Sequence, residues 1–159
     1  MTYAGFWKRF AAYLIDALIL GVASWIIILP VLGLIGLGAS SMEEMGDDMM
    51  TMDDEAAAGL AAAVIGASMM LWIVIAAAGW LYFALMESSA KQATLGKMAL
   101  SIIVTDLNGN RLSFGRATGR YFGKILSGLI LYIGFVMAAF TEKKQALHDM
   151  IAGTLVVNK

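Results

Sequence analysis

Arg9, Asp16, His148 and Asp149 carry charge or titrate, and all four sit close to or within apolar stretches. Asp16 is the most informative, because an isolated ionised carboxylate inside a membrane span costs about 2.5–3.5 kcal/mol on insertion scales. It must therefore be paired, neutral or turned toward protein. Arg9 precedes it by two helical turns on the same face, about 10.5 Å along the axis, and Tyr13 lies between them as a hydrogen-bond relay. Two readings stay open: Asp16 binds a proton or cation in transit, or it belongs to a structural ion pair that sets helix register. His148 and Asp149 pose the same choice. Histidine titrates in the physiological range, so the pair suits a pH-responsive gate. Alternatively, Asp149 caps a helix or takes a salt bridge from a cytoplasmic arginine. Residue types alone favour the structural reading of both pairs.

Other chemistries are poorly served. The chain has no cysteine and one histidine, which excludes disulfides, thiolate sites and multi-histidine zinc or haem centres. No nucleophile is paired with His148, so we expect neither an enzyme nor a bound cofactor. Thr94-Leu95-Gly96-Lys97 lacks the upstream glycine of a P-loop. Met42, Met45, Met49 and Met52 lie at helical spacing among acids. Thioethers suit Cu(I), but such a stripe is more often the apolar side of a surface helix, so no metal is assigned.

The elements that position these residues follow from composition. Of 159 residues 60% are hydrophobic and only 14% charged, too many apolar side chains for the interior of so small a soluble domain. We expect an all-α integral membrane protein. A first span over about 10–37 is long enough for a hydrocarbon core of about 30 Å, and Asp16 argues against a cleaved signal peptide. An acidic, methionine-rich segment over 40–55 follows, then a second span over about 56–86. Residues 43–55 hold seven acids and no base, whereas residues 87–159 hold nine bases and four acids. With Lys8 and Arg9 before the first span, the basic bias places the amino terminus and the segment 87–112 in the cytoplasm, and 40–55 outside. The cytoplasmic (inner) membrane of a bacterium is the expected location.

A third apolar helical element occupies 113–140. Gly115, Gly119, Gly123 and Ser127 form a smooth face for close packing, and Arg116, Arg120 and Lys124 a neighbouring basic stripe, expected among anionic lipid headgroups rather than on nucleic acid. Residues 125–140 either cross the membrane or dip in and return, and the basic residues at both edges favour return. Asn108-Gly109 between apolar runs predicts a small cytoplasmic β-hairpin, 99–106 against 111–114. Thr154–Val157 can add a strand within the tail 141–159.

Gly5-Phe6-Trp7-Lys8-Arg9-Phe10 with Asp16, Gln92-Ala93-Thr94-Leu95-Gly96-Lys97, Asp106-Leu107-Asn108-Gly109, Leu112-Ser113-Phe114-Gly115-Arg116-Ala117 and Gln145-Ala146-Leu147-His148-Asp149 with Ile151-Ala152-Gly153-Thr154 together resemble the RDD family, membrane domains named for one arginine and two aspartates. The likeness spans nearly the whole chain except Ser40–Glu55, and Met98 stands where the family often has a further basic residue. Arg9, Asp16 and Asp149 match the signature trio. The resemblance implies a polytopic membrane fold and a role in transport of ions or small ligands. On that reading Asp16 is the membrane-embedded carboxylate, Arg9 its partner and Asp149 a gate or anchor, in a homo-oligomer. An accessory subunit of a larger membrane complex, and copper handling by the methionine segment, are the alternatives.

Overall fold

The computed structural model describes residues 1–34, 46, 53–130 and 133–159. Two long apolar helices dominate. Helix α1 (Phe6–Leu34) and helix α2 (Asp54–Ser88) are both long and apolar enough to cross a membrane. α2 starts where the Asp53 side chain accepts a hydrogen bond from the Ala56 N–H at 2.8 Å, satisfying one of the free amides of the first turn. Both helices run a few residues beyond the hydropathy boundaries at their basic-side ends, where Arg9 and Glu87 enter buried ion pairs. The chain forms two compact units. One is Leu20–Ala77, the far parts of α1 and α2 with the methionine-rich segment, most of which lies outside the described residues. The other, Met1–Ile19 with Ala78–Lys159, carries all the remaining elements.

In that second unit, a short helix α3 (Leu95–Ala99) leads into strand β1 (Ile102–Asp106), and helices α4 (Phe114–Leu129), α5 (Ile133–Phe140) and α6 (Leu147–Ala152) precede strand β2 (Thr154–Asn158). β1 and β2 pair antiparallel with Val104 opposite Val156. The expected hairpin is therefore corrected. The Asn-Gly loop exists, but residues 111–113 are not a strand. Asp106 accepts from the Asn108 and Asn110 amides at 2.8 Å each, and Gly109 takes φ +87°, a conformation open to glycine without strain. The chain leaves this loop for the N-cap Ser113, whose hydroxyl accepts from Arg116 N at 3.3 Å. The closing strand supplies the partner instead, and residues 2–4 line its other edge through Ala4 N to Val156 O and Asn158 N to Thr2 O, both 2.9 Å. Ala4, Ala12, Ile102, Val104, Leu112 and Val156 form the buried core.

α4 is amphipathic with its polar face turned inward. Arg120 is buried, whereas Phe122, Ile125, Leu126 and Leu129 are exposed. That is the arrangement favoured where hydrocarbon rather than water covers the outside. α5 folds back at 102° to α4, so the third element is a bent pair, with Gly134 of α5 seated on Ser127 of α4.

Candidate functional site

Two polar constructions anchor the basic ends of the spans. The first surrounds Asp16. The N-terminal amides of α3 need acceptors, and these come from other helices. Asp16 Oδ1 accepts from Gly96 N at 2.8 Å and from the Tyr82 hydroxyl at 2.8 Å, while Tyr82 accepts from Leu95 N at 3.0 Å. Thr94, at the N-cap position, donates its hydroxyl to Asp16 Oδ2 at 2.6 Å. Asp16 thus caps α3 across the fold and ties α1 to α2 and α3. Neither Arg9 nor Tyr13 is among its partners, so the expected Arg9–Asp16 relay is corrected: Arg9 is engaged elsewhere. Gly96 permits the approach, because a Cβ there would lie 2.1 Å from the Ala12 carbonyl oxygen and 2.9 Å from Asp16 Cγ. Gly96→Ala should lower stability by about 1–3 kcal/mol through overpacking, read as a fall in melting temperature in mild detergent. An unchanged melt would remove the close approach from the account.

The second construction is an ion cluster centred on Arg120. Its Nε donates to Asp149 Oδ1 at 2.8 Å, its Nη2 lies 2.7 Å from the same oxygen, and its Nη1 donates to Glu87 Oε2 at 2.7 Å. Arg9 Nη1 pairs with Asp149 Oδ2, which also accepts from Ala146 N at 3.1 Å and so caps α6. Lys97 pairs with Glu87 Oε1, and Lys124 Nζ lies 3.6 Å from that oxygen and 4.1 Å above the Phe83 ring. Burial disfavours the Asp149 carboxylate, but Arg120 and then His148 and Arg9 outweigh it and hold its pKa well below the usual range. Burial also lowers Lys97 to about 7 against the pull of Glu87.

Of the basic stripe expected among headgroups, only Arg116 is at the surface, 3.9 Å from Asp106. Arg120 and Lys124 turn into the cluster, where Glu87 and Asp149 supply the counter-charge. The glycine ladder divides similarly. A Cβ at Gly123 would meet His148 Cβ at 3.1 Å, and Ser127 packs on Gly134, whereas one at Gly115 or Gly119 meets nothing within 4 Å. Met42, Met45, Met49 and Met52 lie outside the described residues. Sequence reasoning missed Glu87, Lys97, Thr94 and Tyr82. The available signal was an acid closing an otherwise apolar span, with a lysine ten positions on.

The packing around His148 disfavours the protonated form that the expected pH gate requires. His148 is packed against Gly123 and the Phe135 ring, 5.1 Å between centroids, with Nδ1 3.3 Å from Ser127 Oγ. Burial lowers its pKa from 6.5 to about 3, despite Asp149 beside it. Between those values the unfolded chain holds the extra proton, so stability falls on acidification, by at most about 1.4 kcal/mol per pH unit for one group. His148→Gln should flatten the melting-temperature profile between pH 6.5 and 3. An identical slope in both proteins would contradict this.

Arg9, Lys97, Arg120, Lys124, His148 and the Asp16 carboxylate border a cavity of about 610 Å³ whose other walls include Phe6, Phe10, Tyr13, Phe83, Tyr121, Ile125, Phe135 and Val136.

The comparisons bear on this geometry. A family model described as RDD family matches residues 3–153. The chain belongs to the RDD family. This RDD protein is 42% identical over 156 residues to "Uncharacterized protein YxaI" of Bacillus subtilis (strain 168), covering 98% of this chain and 97% of that one. It is 31% identical over 164 residues to "Uncharacterized membrane protein YteJ" of the same organism, covering 99% and 82%. No solved structure matches. The signature trio of this RDD protein is split in space: Arg9 and Asp149 form one pair across the chain ends, and Asp16 serves a separate cap.

Proposed function

We propose that this RDD protein, set in a bacterial cytoplasmic membrane with its amino terminus inside, takes part in moving a small anionic ligand and catalyses no reaction. The observation that carries this is the charge surplus at the cavity. Among the described residues Arg9, Lys97, Arg120 and Lys124 pair with Glu87 and Asp149, and Asp16 lies on the same cavity wall. One cation is therefore in excess when Lys97 is protonated, and such a charge in an apolar setting is costly unless a counter-ion joins it. Asp16 suits a cation carrier less well, since a cation would have to displace three donors already in place. Two long spans are few for an alternating-access path, which supports an oligomer as the working unit.

The test is uptake into proteoliposomes, with phenyl phosphate as the anion probe and sodium and potassium as cations. Saturable phenyl phosphate uptake is expected. Sodium or potassium flux without it would overturn the anion reading. A second reading, an accessory subunit, is favoured by the spans themselves: only 11% of the most apolar stretch of α1 and none of that of α2 is buried within the chain. Gentle extraction followed by mass analysis should then recover a larger complex. Recovery only as a monomer or homo-oligomer would count against it.

A further inference from the structure

We propose that the cavity beside the ion cluster receives an amphiphilic anion, a phosphate or carboxylate headgroup bearing a hydrocarbon chain, with Arg9 and Lys124 holding the headgroup. This rests on the anion reading above and deepens it.

The hydrogen-bond inventory selects those two cations. Both oxygens of Asp149 and both of Glu87 already face charged donors. Arg120 spends its Nε and both terminal nitrogens on the two carboxylates. Arg9, in contrast, uses Nε on the Ala4 carbonyl and Nη1 on Asp149, while its buried Nη2 has no hydrogen-bond partner among the described residues. Among the described residues Lys124 makes one long ion-pair contact at 3.6 Å and rests on Phe83. A buried donor left unmade costs free energy, and an anionic oxygen placed between Arg9 Nη2 and Lys124 Nζ relieves it with charge-assisted bonds.

Size and lining select the rest of the ligand. About 610 Å³ lies within the range of organic ligand sites, about 300–1,000 Å³, and far exceeds a bare ion. Beyond the cations the wall is mostly apolar, its one carboxylate, Asp16, being engaged by Tyr82, Thr94 and Gly96, and Phe10, Ile125 and Val136 are also exposed at 43%, 52% and 42%. The same side chains that line the cavity therefore continue onto the surface that lipid covers, giving a hydrocarbon chain a path from the bilayer.

Binding to the full chain in nonionic detergent distinguishes the parts, using dodecyl phosphate, inorganic phosphate and dodecanol as probes. Dodecyl phosphate should bind at least about tenfold more tightly than either fragment. Lys124→Gln should weaken it about tenfold, the scale of one charged hydrogen bond, and Lys124→Arg should retain it. Ile125→Trp, at a wall position 52% exposed, should keep the native melting temperature, weaken dodecyl phosphate and spare inorganic phosphate. Equal affinity for the two phosphates would overturn the amphiphile and leave the anion reading standing. Equal affinity for dodecanol, indifferent to Lys124→Gln, would overturn both. In nanodiscs, dodecyl phosphate binding suppressed by phosphatidylglycerol but not by phosphatidylcholine identifies a bilayer lipid as the source. Equal binding in both identifies a free amphiphile.

Discussion

Arg120→Met should cost about 3–5 kcal/mol, because it leaves Glu87 and Asp149 buried without the group that bridges them. Arg120 is 2% exposed, and its guanidinium joins α2 to α6 through α4. Breaking one partner of such a set is far more damaging than the set is stabilising, since the stranded carboxylates keep their desolvation penalty. Arg120→Lys should recover only part of the loss, because one ammonium cannot reproduce a planar fork that addresses two carboxylates. Size-exclusion profiles and thermal melts in mild detergent read the effect. A melt for Arg120→Met within a degree of the native protein would show that the cluster is not what joins these helices.

The second large effect separates two substitutions at one position. Asp16→Ala should lose roughly 2–5 kcal/mol, since the Thr94 hydroxyl and the Gly96 amide are each left buried without an acceptor. Asp16→Asn should stay within about 1 kcal/mol of native. Its carbonyl oxygen can keep Gly96 and Tyr82, and its amide can donate to Thr94, whose hydroxyl also accepts. Equal damage from both substitutions, measured by thermal melts, would contradict the capping role.

Much of the architecture was legible because lipid imposes simple rules. Long apolar runs gave the two spans, and glycine and basic residues around 113–140 marked a third, interrupted element. The partner of β1 was not legible locally. An Asn-Gly turn signals a hairpin, but Asp106 closes that turn on itself, and Ser113 starts a helix four residues beyond Gly109. The pairing with Thr154–Asn158 is a long-range choice made by burial of Val104 and Val156. The orientation of Arg120 and Lys124 was misread for a physical reason. Periodicity shows that α4 has a polar face, yet it cannot say whether water or an interior fills the space beside it. Glu87, the residue that turns that face inward, stands 33 positions from Arg120. Likewise Arg9 and Asp149 lie 140 positions apart, so helical spacing pointed Arg9 toward Asp16, which was nearer in sequence.

The most direct test of the assignment of function to the cavity's cations rather than to the Asp16 carboxylate on its wall is phenyl phosphate uptake by proteoliposomes containing Asp16→Asn or Lys124→Gln. Uptake close to native for Asp16→Asn, with about a tenfold loss for Lys124→Gln, is the predicted result. The reverse order, with uptake abolished by Asp16→Asn and untouched by Lys124→Gln, would contradict it.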